Sequence, residues 1–258
     1  MEYFTEQHAI VRKIWGSADT VLFIFAGAAA EFALNKAVDW LYFTGKLPAD
    51  PIGRLFSTVG YARQIIFAEK EKAYAAIDKM SKIHSAVESS RGMHIPDYAY
   101  RDVLFMLIYY SIAAFEMLER KLTRQEKEEV TAVFCAVGHR MKIPGLPAGY
   151  EEWKLMHSRH LEDDLHRSHY TVDLYKQYKR SLGKARYLVL LEVQKRLVPP
   201  RVKALLQLNG VSFLSPALVL YKICRTLKVE WLLKSLLLPR AYIKQIKALE
   251  YKTSASET

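Results

Sequence analysis

The chain has 258 residues, 51% hydrophobic and 25% charged, a balance that excludes a disordered polypeptide and allows one large buried core. Its formal net charge of +11 is unevenly placed: residues 176–258 carry 17 Lys/Arg against 4 Asp/Glu, whereas the first 175 carry 21 against 23. A basic final third points to an anionic partner, either a membrane surface or nucleic acid.

Two cysteines, Cys135 and Cys224, make neither a disulfide framework nor a zinc pattern, which agrees with a reducing compartment. The start, MEYFTEQHAI, lacks a basic region followed by an apolar run, so no secretory signal is expected and a cytoplasmic location is. Ala18 to Ala30 is almost wholly apolar but ends at Glu31, too short for a bilayer span of about 20 residues. The pattern predicts a buried helix continuing through Trp40. Its small residues, Ala26 to Ala30, allow another helix or a flat cofactor to approach closely. Glu31 is a carboxylate among apolar neighbours and needs a partner if buried; Arg54 is one candidate.

Gly45 to Pro51 is turn-rich, and Asp50-Pro51 then opens a helix, Asp as the cap and Pro in the first turn. Ile52, Leu55, Phe56, Val59 and Ile66 form an apolar stripe at helical spacing. Arg54, Thr58 and Tyr61 share a second stripe with one cation and two hydroxyls. A further helix starts near Lys70, with Ala73, Ile77, Met80, Ile83 and Val87 predicted on its buried face and His84 within that stripe. An imidazole in an apolar interior suits a metal ligand, and equally a hydrogen-bonded core histidine.

After the loop SSRGMHIPD, where His94 is expected in solvent, Tyr100 to Glu119 reads as a strongly apolar helix. Thr123 and Glu126 make a capping box for a helix reaching about Met141. IPGLPAGY breaks the chain, and another helix begins near Glu151 with four histidines from His157 to His169. His157, His160 and Asp164 can share a face able to hold a non-haem metal, but a polar, partly solvated helix is the favoured reading. No G-x-S-x-G elbow, phosphate loop or dinucleotide fingerprint occurs. Helix follows helix, so the predicted fold class is all-α. In the final third, FLSPALVLY and WLLKSLLLP mix apolar runs with Lys222, Arg225, Lys228, Lys234, Arg240, Lys244 and Lys247. Such basic amphipathic helices suit either a peripheral membrane contact or packing on the core, and no nucleic-acid motif accompanies them.

The segment DPIGRLFSTVGYARQIIF, followed by SKIHSAV, resembles the MpaB/rubber oxygenase (latex-clearing protein) family, with similarity from about Trp15 to Trp153 and more loosely to the end. The family pattern of Asp-Pro, Arg, Thr four residues on and a distant Ile-His matches Asp50-Pro51, Arg54, Thr58 and Ile83-His84. The resemblance implies a globin-like, all-α haem core over residues 1–175 with a basic helical extension over 176–258 packed on it. It also implies a haem-b-dependent oxygenase that uses dioxygen to oxidise or cleave an alkene in a lipophilic, isoprenoid-like substrate. His84 would be the axial iron ligand. Arg54, Thr58 and Tyr61 would line the haem site, with Arg54, Thr58 and Glu31 as candidate catalytic groups. Where rubber-cleaving relatives can carry a lysine three residues after the arginine, this chain has Ser57, which speaks against a lysine-capped state. A non-catalytic carrier of haem or of a hydrophobic ligand, and a membrane-surface protein retaining only the fold, are the alternatives.

Overall fold

The computed structural model describes residues 2–45 and 49–212, apart from the Leu55 side chain. The basic residues from Lys222 onward, and both apolar runs among them, lie outside this range. Among the described residues there are helices and two isolated bridges but no strand, so the fold is all-α.

The centre is α2 (Ala18–Phe32), capped by the Ser17 side chain and almost wholly buried. Its small residues let neighbours approach. A Cβ added at Gly27 would stand 2.2 Å from ring carbons of Tyr110 on α6 (Asp97–Leu118). On another side, Gln194 of α9 (His169–Leu197) donates its side-chain N–H to the Ala26 carbonyl at 2.8 Å. The short α1 (Ile10–Gly16) buries Val11, Ile14 and Trp15 against the same core, and the Trp15 indole donates to Ser111 Oγ at 3.0 Å.

The helix expected to continue through Trp40 stops at Phe32. Asn35 supplies the reason. Its side-chain oxygen accepts from the Ala37 N–H at 2.8 Å, so a local turn competes with the helical ladder. The Lys36 N–H turns to the Asp164 carbonyl at 2.9 Å, and the His166 N–H reaches the Leu34 carbonyl at 2.8 Å. These bonds fasten the end of α2 to the end of α8 (Tyr150–Asp163). The chain resumes as the short α3 (Val38–Phe43).

The other elements begin where cap chemistry places them. Asp50 accepts from the Gly53 N–H at 2.8 Å and Pro51 sits in the first turn of α4 (Pro51–Phe67). α5 (Lys70–Arg91) ends at Gly92, whose φ of 69° is the left-handed cap that glycine tolerates. Thr123 and Glu126 form both halves of the capping box on α7 (Arg124–Arg140). α9 crosses residue 175, bends at Gly183 and returns Val193 and Leu197 to the main core; α10 (Pro200–Leu206) follows. No helix among the described residues is long and apolar enough to cross a membrane.

Candidate functional site

Two chemically opposite sites lie along α2. The first is an apolar cavity of about 360 Å³, within the range of roughly 300–1,000 Å³ typical of small-ligand pockets. Its walls include Phe25, Ala28 and Ala29 of α2, Leu104 of α6 and Val137 of α7. α4 contributes Arg54, Thr58 and Tyr61, and α5 contributes Met80, Ile83, His84 and Val87. The i, i+4, i+7 spacing on α4 and the matching spacing on α5 therefore face each other across one space. The expected burial of α5 is only half met. Ala73 and Ile77 are in the core, but Met80 and Val87 are half-buried and Ile83 is 40% exposed, because this half of the helix lines the cavity instead of a packed interior.

His84 has a buried Nδ1 with no hydrogen-bond partner. Tyr100 stands edge-on to its ring at 5.3 Å. Burial first, and the nearby Arg54 cation second, hold its pKa below the ordinary imidazole value, so the ring is neutral. Arg54 is partly buried and has no ion-pair partner among the described residues; desolvation lowers its pKa. Thr58 donates its hydroxyl to the Arg54 carbonyl at 3.3 Å. A neutral, uncommitted imidazole, apolar walls and an unneutralised cation together fit an iron-bearing, anion-substituted planar group such as haem. Ser57 is exposed, on the outside of α4.

The second site is a buried polar cluster. Glu31 is fully buried, and its partner is not Arg54. Tyr110 donates its hydroxyl to one carboxylate oxygen at 2.9 Å, His160 Nε2 lies 3.1 Å from the other, and His157 Nε2 is 3.5 Å from that same atom. Burial pushes the Glu31 pKa up, but hydrogen bonds and charge from His157 and His160 outweigh this and hold it well below the usual carboxylate range. The other ring nitrogen of His160, Nδ1, faces Asp102 at 2.9 Å and Asp164 at 3.7 Å. Asn35 donates to the second oxygen of Asp102 at 2.7 Å. His157 is stacked between Tyr109 and Trp153, with centroids 5.0 and 5.2 Å away.

The histidine-bearing helix is partly solvated and pairs its histidines with neighbouring carboxylates, in line with the sequence, but those histidines lie on its buried face. His157 and His160 are buried, while His166, His169 and His94 are exposed. Glu31 does not line the cavity of His84, and the two groups of candidate residues meet at Asn35, which borders the cavity and bonds Asp102. Asp102, Tyr110 and Asn35 escaped notice as site residues. The available signal was Asp102, a carboxylate at the head of the apolar run of α6, an anomaly like that of Glu31.

Among the described residues, then, the chain is an all-helical bundle with a partly open apolar cavity lined by one imidazole. Residues 13–241 match the family described as the ER-bound oxygenase mpaB/B'/Rubber oxygenase catalytic domain, and the chain belongs to that family. No curated protein and no solved structure matched the chain. Family membership supports oxygenase activity, which is oxidoreductase chemistry.

Proposed function

We propose that the protein is a haem-b-dependent oxygenase that uses dioxygen to oxidise or cleave an alkene in a lipophilic, isoprenoid-like substrate. The observation that carries this reading is His84 Nδ1, buried, unpartnered and on a neutral ring at the wall of an apolar cavity that also holds an unpaired arginine. When bound, haem b would supply the redox-active iron that lets dioxygen react with an alkene. His84 offers the imidazole for the iron, and its low pKa keeps it available as a ligand at neutral pH. Arg54 would pair a propionate, which would supply the counter-ion it lacks among the described residues. Tyr61 would add a hydroxyl donor on the same helix face, and Thr58, whose own proton goes to the Arg54 carbonyl, an acceptor oxygen. The remaining walls exclude water and admit apolar chain, in a globin-like enclosure between helices.

A peripheral membrane contact by the basic final third belongs to the same reading, since an oily substrate dissolves in lipid. Each Lys or Arg near an anionic leaflet contributes about 1 kcal/mol, so several acting together give reversible, salt-sensitive binding. The intact chain should co-sediment with anionic vesicles at low salt, and reversing Arg225, Lys228 and Lys234 should release it.

The principal test is the visible spectrum of the full chain supplied with haem. The strong near-ultraviolet haem band should appear, weaken in His84→Ala and return in part with added imidazole. Arg54→Ala should lower haem occupancy, and Arg54→Lys should restore it poorly, because an ammonium lacks the bidentate fork. Conversion of an isoprenoid alkene under oxygen then separates an oxygenase from a carrier. An unchanged spectrum in His84→Ala overturns the ligand assignment. Absence of haem uptake by the wild type leaves the cavity to a hydrophobic ligand.

A further inference from the structure

The polar cluster along α2 contains a feature that haem does not use. His160 Nε2 lies 3.1 Å from Glu31 Oε1, while the other Glu31 oxygen already accepts from Tyr110, so Nε2 is the donor of this pair. The other nitrogen, Nδ1, is buried, with its side chain 2% exposed, and makes no satisfied hydrogen bond even though Asp102 Oδ1 is only 2.9 Å away. Two acceptors at that separation need a positive charge between them. In the metal-free protein a proton on Nδ1 can supply it, and a bound cation would take that proton's place. Here a second carboxylate, Asp164, also faces the nitrogen at 3.7 Å, and one ligand atom from each of the three residues lies within 4.8 Å of the others.

We propose that Asp102, His160 and Asp164 form a second, non-haem site for a divalent first-row transition ion of the Zn²⁺ or Fe²⁺ class. Nitrogen and oxygen ligands at roughly 2.0–2.2 Å from a tetrahedral ion stand about 3.3–3.6 Å apart. The two distances from His160 Nδ1, 2.9 and 3.7 Å, bracket that range, and the two carboxylate atoms lie within 4.8 Å of each other. One imidazole with two carboxylates favours a borderline ion over a hard Mg²⁺ or Ca²⁺, which prefers oxygen throughout.

The surroundings match those of a bound metal. A ligating histidine commonly donates its second N–H to a carboxylate, which fixes tautomer and ring orientation. Glu31 does this here, and Tyr110 holds Glu31 in turn. Asn35 orients the Asp102 carboxylate. Asp164 is 22% exposed, which gives the ion a route from solvent and leaves room for water at the remaining positions. The backbone bonds from Lys36 to Asp164 and from His166 to Leu34 set the ligand-bearing end of α8 against α2. The Lys36 ammonium is committed to the Asp163 carbonyl, so it does not fill the place of the ion.

The test uses the intact chain after chelation and dialysis, titrated with Zn²⁺ by calorimetry and with Co²⁺ by visible absorption. One equivalent should bind, the melting temperature should rise as RT ln(1 + [L]/Kd) requires, and the heat should vary with buffer ionisation as His160 loses a proton. Asp164→Asn, at a partly exposed position that tolerates change, should weaken binding at least tenfold. His84→Ala should bind Zn²⁺ as the wild type does, which separates this site from the haem reading. The proposal is overturned if the wild type shows no saturable one-to-one binding at micromolar Zn²⁺. It is equally overturned if Asp164→Asn binds like the wild type, since the ion would then sit on a surface site.

Discussion

His84 and His160 are imidazoles in two sites along one helix, and their surroundings give them opposite chemistry. His84 meets aliphatic and aromatic side chains and a guanidinium, so burial and like charge keep it neutral with a free nitrogen. His160 meets three carboxylates, which hold positive charge around it despite equal or greater burial. Burial alone therefore does not decide the protonation state of a core histidine. The sign of the nearest fixed charge does.

The comparison is broken most severely by removing the anion that defines the second region. Glu31→Ala leaves His160 charge and the Tyr110 hydroxyl buried without their acceptor, and should cost roughly 3–5 kcal/mol in chemical denaturation. A smaller effect, about 1–3 kcal/mol, is expected for Gly27→Ala. The new methyl collides with the Tyr110 ring, which has Leu197 beside it, and pushes the hydroxyl away from Glu31.

A pH series sharpens the contrast in chelator-treated, haem-free protein. Burial opposes charge on His160, but hydrogen bonds and charge from Asp102 and Glu31 overcome this and push its pKa up to about 10. A folded pKa raised above the ordinary 6.5 stabilises fully below that value and is lost as pH rises toward 10. His84 has the opposite sign: its depressed pKa stabilises the fold above about 6.5 and loses that contribution as pH falls. Denaturation midpoints from pH 5 to pH 10 should fall on both sides of neutrality. His160→Gln should flatten the alkaline limb, and His84→Ala the limb below 6.5.

The smallest effect is expected in the cavity. Without haem, Arg54→Ala and His84→Ala should each leave stability within about 0.5 kcal/mol of the wild type, because neither side chain has a polar partner to lose. Either variant losing several kcal/mol in the haem-free state would show that the cavity residues hold the fold rather than a ligand.

Much of the architecture is written locally. Asp50-Pro51, Thr123 with Glu126, and Gly92 set helix ends through bonds within a few residues, so their positions follow from short-range chemistry. The facing stripes of Arg54, Thr58, Tyr61 and His84 also follow from helical spacing, since both helices join through a short turn and must pack side by side. The end of α2 at Phe32 does not follow, because the bonds that stop it there come partly from Asp164 and His166, more than 100 residues away. Glu31 was conspicuous in the sequence, yet which cation would meet it was undetermined. Arg54 and His160 were both available, and burial of α8 against α2 decided for His160. The sequence by itself determined an all-helical chain, its caps and the residues that line one cavity, because these depend on periodicity and neighbours in the chain. Only the tertiary structure brought Asp102 of α6 and Glu31 of α2 to His160 and Asp164, which helical spacing alone places on one face, because contacts between distant helices are set by long-range packing.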